Sequence, residues 1–223
     1  TATATATAPA ATAAVAQGLS GVRELFSRRF LCTTLVLWFL WFANALIYYG
    51  LVLFTPIFLN QTVVGDSAQS FDSDNQMYID VLVSTMGELP GVLVAALLID
   101  LIGRRYTQSL MFASLSLYTC LLLVPSNSQW TYVLLCFLAR GLSMGVYCAT
   151  YAYTPELYPT RIRSVGLGLC VSASKVASVL SPFISNVLIE VSPTIPISIF
   201  ASLSLASSLL ILVLRETSED DLE

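Results

Sequence analysis

Apolar residues run in long unbroken stretches along this chain, near 31–59, 77–99, 106–124, 130–153, 164–189 and 195–214. Each is close to the ~20 residues a helix needs to cross a bilayer. Six transmembrane helices in an all-α integral membrane protein are therefore expected. The first stretch is long and contains Pro56, which predicts a tilt or a kink there. Pro155 and Pro159 are expected to end the fourth helix by removing amide donors. The links PSNSQ and EVSPT are short, and the largest loop is 60–76.

Composition agrees with this pattern. Hydrophobic residues make up 56% of the 223 and charged residues only 11%, with a mean hydropathy of +0.78. A water-soluble domain of this length needs more polar surface. Three regions follow: a low-complexity, disordered Ala/Thr-rich segment at 1–27, a six-helix membrane domain at 28–215, and an acidic tail at 216–223. The chain lacks an initiator Met and is expected to be a piece of something longer.

Charge fixes the expected orientation. Arg23, Arg28 and Arg29 precede the first stretch, Arg104 and Arg105 follow the second, Arg161 and Arg163 follow the fourth, and Arg215 follows the sixth. The other loops carry Asp66, Asp72, Asp74 and Glu190 and no arginine or lysine. The excess of positive charge on the cytosolic side then puts both termini in the cytosol.

Several functions are excluded. There is no histidine, and Cys32, Cys120, Cys136, Cys148 and Cys170 all lie in apolar stretches. No metal site, cofactor or disulfide framework is expected from that set. No nucleophile–base pattern or phosphate loop marks an enzyme, and no basic stripe marks a nucleic-acid binder.

Chemistry concentrates in two places. At the cytosolic edge, LIDLIGRR brings Asp100, Gly103, Arg104 and Arg105 together, and PELYPTRIR offers Glu156, Arg161 and Arg163. Opposite charges there can lock helix ends in one conformation and release them in another. Arg28 and Arg29 are expected only to set topology. Deeper in, Glu88, Arg140 and Lys175 each lie about eleven residues into a helix, roughly 16 Å from its start. A charge at that depth costs about 2.5–3.5 kcal/mol, so each should face a cavity or a partner. Glu88 and Arg140 are candidates for one pair, either a proton-coupling site or a static brace. Arg140, Met144, Tyr147 and Tyr151 share a helical face, with Gly141 and Gly145 beside it for close packing. Trp41, Asn44 and Tyr48 share a face of the first helix; Gly168, Ser172, Lys175, Pro182 and Asn186 share one of the fifth.

The D-x-x-G-R-R at 100–105 and the P-E-L-Y-P-T-x-x-R at 155–163 resemble the major facilitator superfamily, in its sugar and organic-ion porter branch. More narrowly, LVLWFLWFANALIYYGLVL, ELPGVLV and YTPELYPTRIRSVGLG are similar to the synaptic-vesicle-two-related group and its organic-ion transporter relatives. The likeness covers about 28–217. It implies the C-terminal six-helix half of a twelve-helix secondary transporter, built of two inverted three-helix units, with the N-terminal half absent from this chain. It further implies a small organic solute bound between the halves, contacted by Trp41, Asn44, Tyr48, Arg140, Tyr147 and Lys175. Lys175 lies in a stretch, SKVASVLSP, where similar organic-anion carriers hold a cation, which implies either an anionic solute or pairing of Lys175 with an acid of the absent half. Ala96 stands where the family has glycine and Leu101 where it has a basic residue, which implies a weaker cytosolic lock. Within the same resemblance a non-transporting receptor, regulator or scaffold is the alternative. The plasma membrane and an intracellular vesicle membrane both remain open.

Overall fold

The computed structural model describes residues 20–63, 71–125 and 129–214, and these are helical apart from short turns, with no strand among them. Residues 1–19, 64–70, 126–128 and 215–223, with Asp66, Arg215 and the acidic tail among them, lie outside the described residues. Six helical rods follow one another. The first is Leu31–Val63 and the second is Phe71–Met86 continued by Glu88–Ile102. The third is Arg104–Leu121 and the fourth Gln129–Glu156. The fifth is Arg163–Pro182, a π-turn at Phe183–Val187 and Leu188–Val191, and the sixth is Thr194–Ile211.

Five of the six are long and apolar enough to cross a membrane; the third, Arg104–Leu121, is long enough but too polar. Its polar residues turn inward: Thr107, Gln108, Ser116 and Thr119 are all buried. The first helix runs unbroken through Pro56, whereas the second breaks at Gly87. Pro90, in the first turn of Glu88–Ile102, has no amide to give the preceding turn, so a new helix starts there. The end of the leading segment is ordered too: residues 20–25 are helical, and Leu25 is fully buried.

Pairing of the rods reveals an internal symmetry. The first packs on the fifth, the second on the fourth, the third on the sixth, the first on the fourth, the third on the fourth and the first on the sixth. Exchanging the first with the fourth, the second with the fifth and the third with the sixth maps this set onto itself. Burial follows the same exchange: in the most apolar 18-residue window of each, 61% and 56% of the first and fourth are buried, against 22% and 22% of the second and fifth. Two inverted three-helix units account for both facts.

Each contact uses side chains suited to a medium without water. Hydroxyls return to their own backbone, as in Thr55 to the Leu51 carbonyl and Thr150 to the Val146 carbonyl. The third and sixth helices exchange bonds: Ser109 Oγ donates to the Ser208 carbonyl at 3.0 Å and Ser208 Oγ to the Ser109 carbonyl at 2.9 Å. The second and fourth meet backbone to backbone. A Cβ on Gly91 would lie 2.0 Å from the Gly141 carbonyl oxygen, and one on Gly145 would lie 2.6 Å from that of Gly91.

The buried apolar side chains divide into two clusters, one toward each end of the bundle. Between them, the fourth helix carries Arg140 and Ser143, the fifth Ser174 and Lys175, and the sixth Ser204 and Ser207. The bundle has a polar waist.

Gly91→Ala should force the second and fourth helices apart at their backbone contact. Overpacking of this kind costs about 1–3 kcal/mol, and a lowered unfolding temperature in detergent measures it. Gly168→Ala, where nothing lies within 4 Å of the added carbon, should leave that temperature unchanged.

Candidate functional site

At the waist, the glycine contact of the second and fourth helices sets Glu88 beside Arg140, each next in sequence to a contacting glycine. Arg140 Nη2 lies 2.5 Å from Glu88 Oε1, with side chains 6% and 20% exposed. Tyr48 of the first helix donates its hydroxyl to Glu88 Oε2 at 3.4 Å. Both carboxylate oxygens are thus engaged, by two different helices. A buried charge of either sign alone would be strongly unfavourable, and the pair cancels it.

Around Tyr48 lies an aromatic cluster. Its ring is 5.6 Å from that of Tyr147, which is 5.5 Å from Tyr151; Trp41 stands edge-on to Tyr151 at 4.5 Å. The Tyr147 hydroxyl lies near Ser174, the neighbour of Lys175 on the fifth helix; the Ser174 hydroxyl itself donates to the Val171 carbonyl at 2.7 Å. Lys175 itself is exposed and has no acidic partner among the described residues. Gly168, Ser172, Pro182 and Asn186 are exposed with it, so the fifth helix presents a polar, open face.

Not every residue expected to meet a solute is open to one. Trp41 and Asn44 are each 1% exposed and face the fourth helix. Trp41 Nε1 donates to Thr154 Oγ1 at 2.9 Å, and Asn44 Nδ2 to Thr150 Oγ1 at 3.4 Å. They brace the first helix against the fourth. Thr150 and Thr154 escaped the sequence reading, although their spacing continues the face of Arg140, Tyr147 and Tyr151. Tyr151 is 43% exposed and joins Tyr48 and Tyr147 as an accessible ring.

At one end of the bundle, Gly103 turns the chain from the second helix into the third with φ 84°, ψ 169°, a conformation open essentially to glycine alone. That corner delivers Arg104 to Glu156, Nε to Oε2 at 3.1 Å. Arg105 donates to the Leu212 carbonyl and tethers the end of the sixth helix. Asp100 is exposed and makes no ion pair among the described residues; Arg161 is exposed beside a small cavity with Ser20, Gly21 and Ile162. Tyr158 also belongs to this end. Burial pushes its hydroxyl well above the ordinary range, so it stays protonated and donates to Thr34 Oγ1 at 3.2 Å.

The sequence pattern described as Major Facilitator Superfamily matches residues 66–223. The synaptic vesicle 2-related protein of Pongo abelii is 37% identical over 200 residues, 84% of this chain and 36% of that protein. The organic cation/carnitine transporter 7 of Arabidopsis thaliana is 30% identical, covering 89% of this chain and 40% of that one. Solute carrier family 22 member 2 of Rattus norvegicus is 30% identical, covering 82% and 31%. The matched part thus spans between 31% and 40% of the length of these relatives.

Glu88→Gln or Arg140→Gln alone should destabilise the bundle by about 3–5 kcal/mol, the cost of orphaning a buried charge. The double substitution should cost clearly less than the sum of the two. Unfolding of the single and double variants in detergent measures the coupling.

Proposed function

The chain belongs to the major facilitator superfamily, and from that premise we propose that it is the six-span half of a secondary transporter for small carboxylate-bearing organic solutes. The solute sits between this bundle and a second one, and passes by alternating access. Both termini then face the cytosol, as the placement of the arginines supports.

Lys175 carries this reading. Glu88 and Arg140 cancel, so among the described residues the polar waist is left with one uncompensated positive charge, Lys175, exposed at mid-depth. Such an ammonium in lipid is strongly unfavourable; against a watery passage it attracts a carboxylate. Tyr48, Tyr147 and Tyr151 supply faces for an aromatic or apolar solute body. Trp41 and Asn44 hold those faces in place from behind.

Glu88 acts as a brace in this scheme. Its two oxygens are engaged, and the backbone contact behind it leaves little room for Arg140 to withdraw. The Arg104–Glu156 pair, with Arg105 on the Leu212 carbonyl, forms a cytosolic lock that closes helix ends together.

The full-length protein in proteoliposomes should take up a labelled aromatic carboxylate and discriminate against a tetraalkylammonium ion. Lys175→Gln should lower anion uptake by about ten-fold or more, the scale of one charged hydrogen bond, and Lys175→Arg should restore most of it. Unchanged anion uptake by Lys175→Gln removes the assignment. A correctly inserted protein that moves no organic ion favours a non-transporting receptor or scaffold.

A further inference from the structure

The two pairs related by the internal symmetry, second with fourth and first with fifth, are built differently. The second and fourth meet through four glycines, with Gly87 and Gly91 against Phe137, Gly141 and Gly145. Contact between backbones leaves no side chains that could repack, so these two helices move as one piece.

The first–fifth pair has the opposite character at the end of the bundle away from Arg104 and Glu156. The first helix contains Pro56 there, and the fifth contains Pro182 followed at once by the π-turn Phe183–Val187. Pro182 cannot bond the carbonyl one turn earlier, and the wide turn resets the register after it. The short piece beyond is thinly anchored: Phe183, Val187 and Val191 are 62%, 53% and 76% exposed, and only Ser185 and Ile189 are fully buried. One cross-helix hydrogen bond ties it down, from Ser185 Oγ to the Gly50 carbonyl at 2.9 Å. Gly50 is itself fixed, since a Cβ there would lie 2.5 Å from the Phe200 ring. One turn before Ser185, the buried Ser181 hydroxyl has no partner among the described residues.

We propose that residues 183–191 are a hinged flap that pivots at Pro182, latched in this structure by the Ser185–Gly50 bond, and that the second–fourth pair is the fixed post it moves against. The inference rests on the transport reading, because a flap at the end opposite the Arg104–Glu156 lock has a use only in a carrier whose two ends open in turn. Ser181 marks the seam where the latched fifth helix is incompletely satisfied.

Electron–electron distances in the full-length, cysteine-depleted protein in nanodiscs test it. Labels at exposed Val191 and Trp130 span flap and post; labels at exposed Leu82 and Leu134 lie within the post. The first pair should show two distances and the second pair one. Ser185→Ala should raise the minor population of the first pair about five-fold, the equivalent of one ~1 kcal/mol hydrogen bond. Pro182→Ala, which restores an amide donor, should reduce it. A single flap–post distance in the parent and both variants overturns the flap. If labels on the two halves of the protein still move with solute, transport stands without it; if no pair moves at all, both readings fall.

Discussion

A guanidinium and a carboxylate bound to each other at the middle of a lipid-soluble bundle set the terms for the rest of this structure. Packing of the second helix on the fourth shields both groups from solvent, so Arg140 and Glu88 must stay together wherever these helices go. The glycines at 87, 91, 141 and 145 serve that need by bringing the two backbones into contact. Tyr48 then takes the remaining carboxylate oxygen and draws the first helix into the same layer. From Tyr48 the aromatic cluster runs to Tyr147, and from Tyr147 to Ser174 beside Lys175. The polar waist is one connected object assembled around one ion pair.

The inverted repeat gives the bundle two copies of each helix pairing, and the sequence has diverged between the copies. Where the second meets the fourth, small residues remove freedom. Where the first meets the fifth, proline and a π-turn restore it. The two related helix pairs of the scaffold thus meet through different residues, backbone-to-backbone glycines in one and a proline-broken fifth helix in the other. The end bearing Arg104 and Glu156 depends instead on charge, with Gly103 supplying the corner that charge alone could not make.

Much of this was legible in the residues. Long apolar stretches located the helices, and the depth of Glu88 and Arg140 foretold their pairing. The break at Gly87 was missed because the flanking residues read as one apolar run, although Pro90 fits only the first turn of a new helix. The inward-turned polar side of the third helix, Thr107, Gln108 and Ser116, was hidden for the opposite reason: its polarity is invisible in a tally of apolar residues around it. Trp41 and Asn44 share a face with Tyr48, yet a helical face is wide enough for one edge to meet a neighbour and the other to stay open. Periodicity cannot choose between those edges, and Thr150 and Thr154 make the choice here. The π-turn after Pro182 left no trace in composition at all.

The central claim is that the polar waist borders water, and accessibility to a membrane-impermeant thiol reagent tests it most directly. Single cysteines at Lys175 and Tyr151 in the full-length protein should react, and solute should protect them. Cysteines at Leu117 and Leu205, exposed on the third and sixth helices, should stay inert in lipid. Unreactive positions 175 and 151 under every condition, with or without solute, would contradict the account.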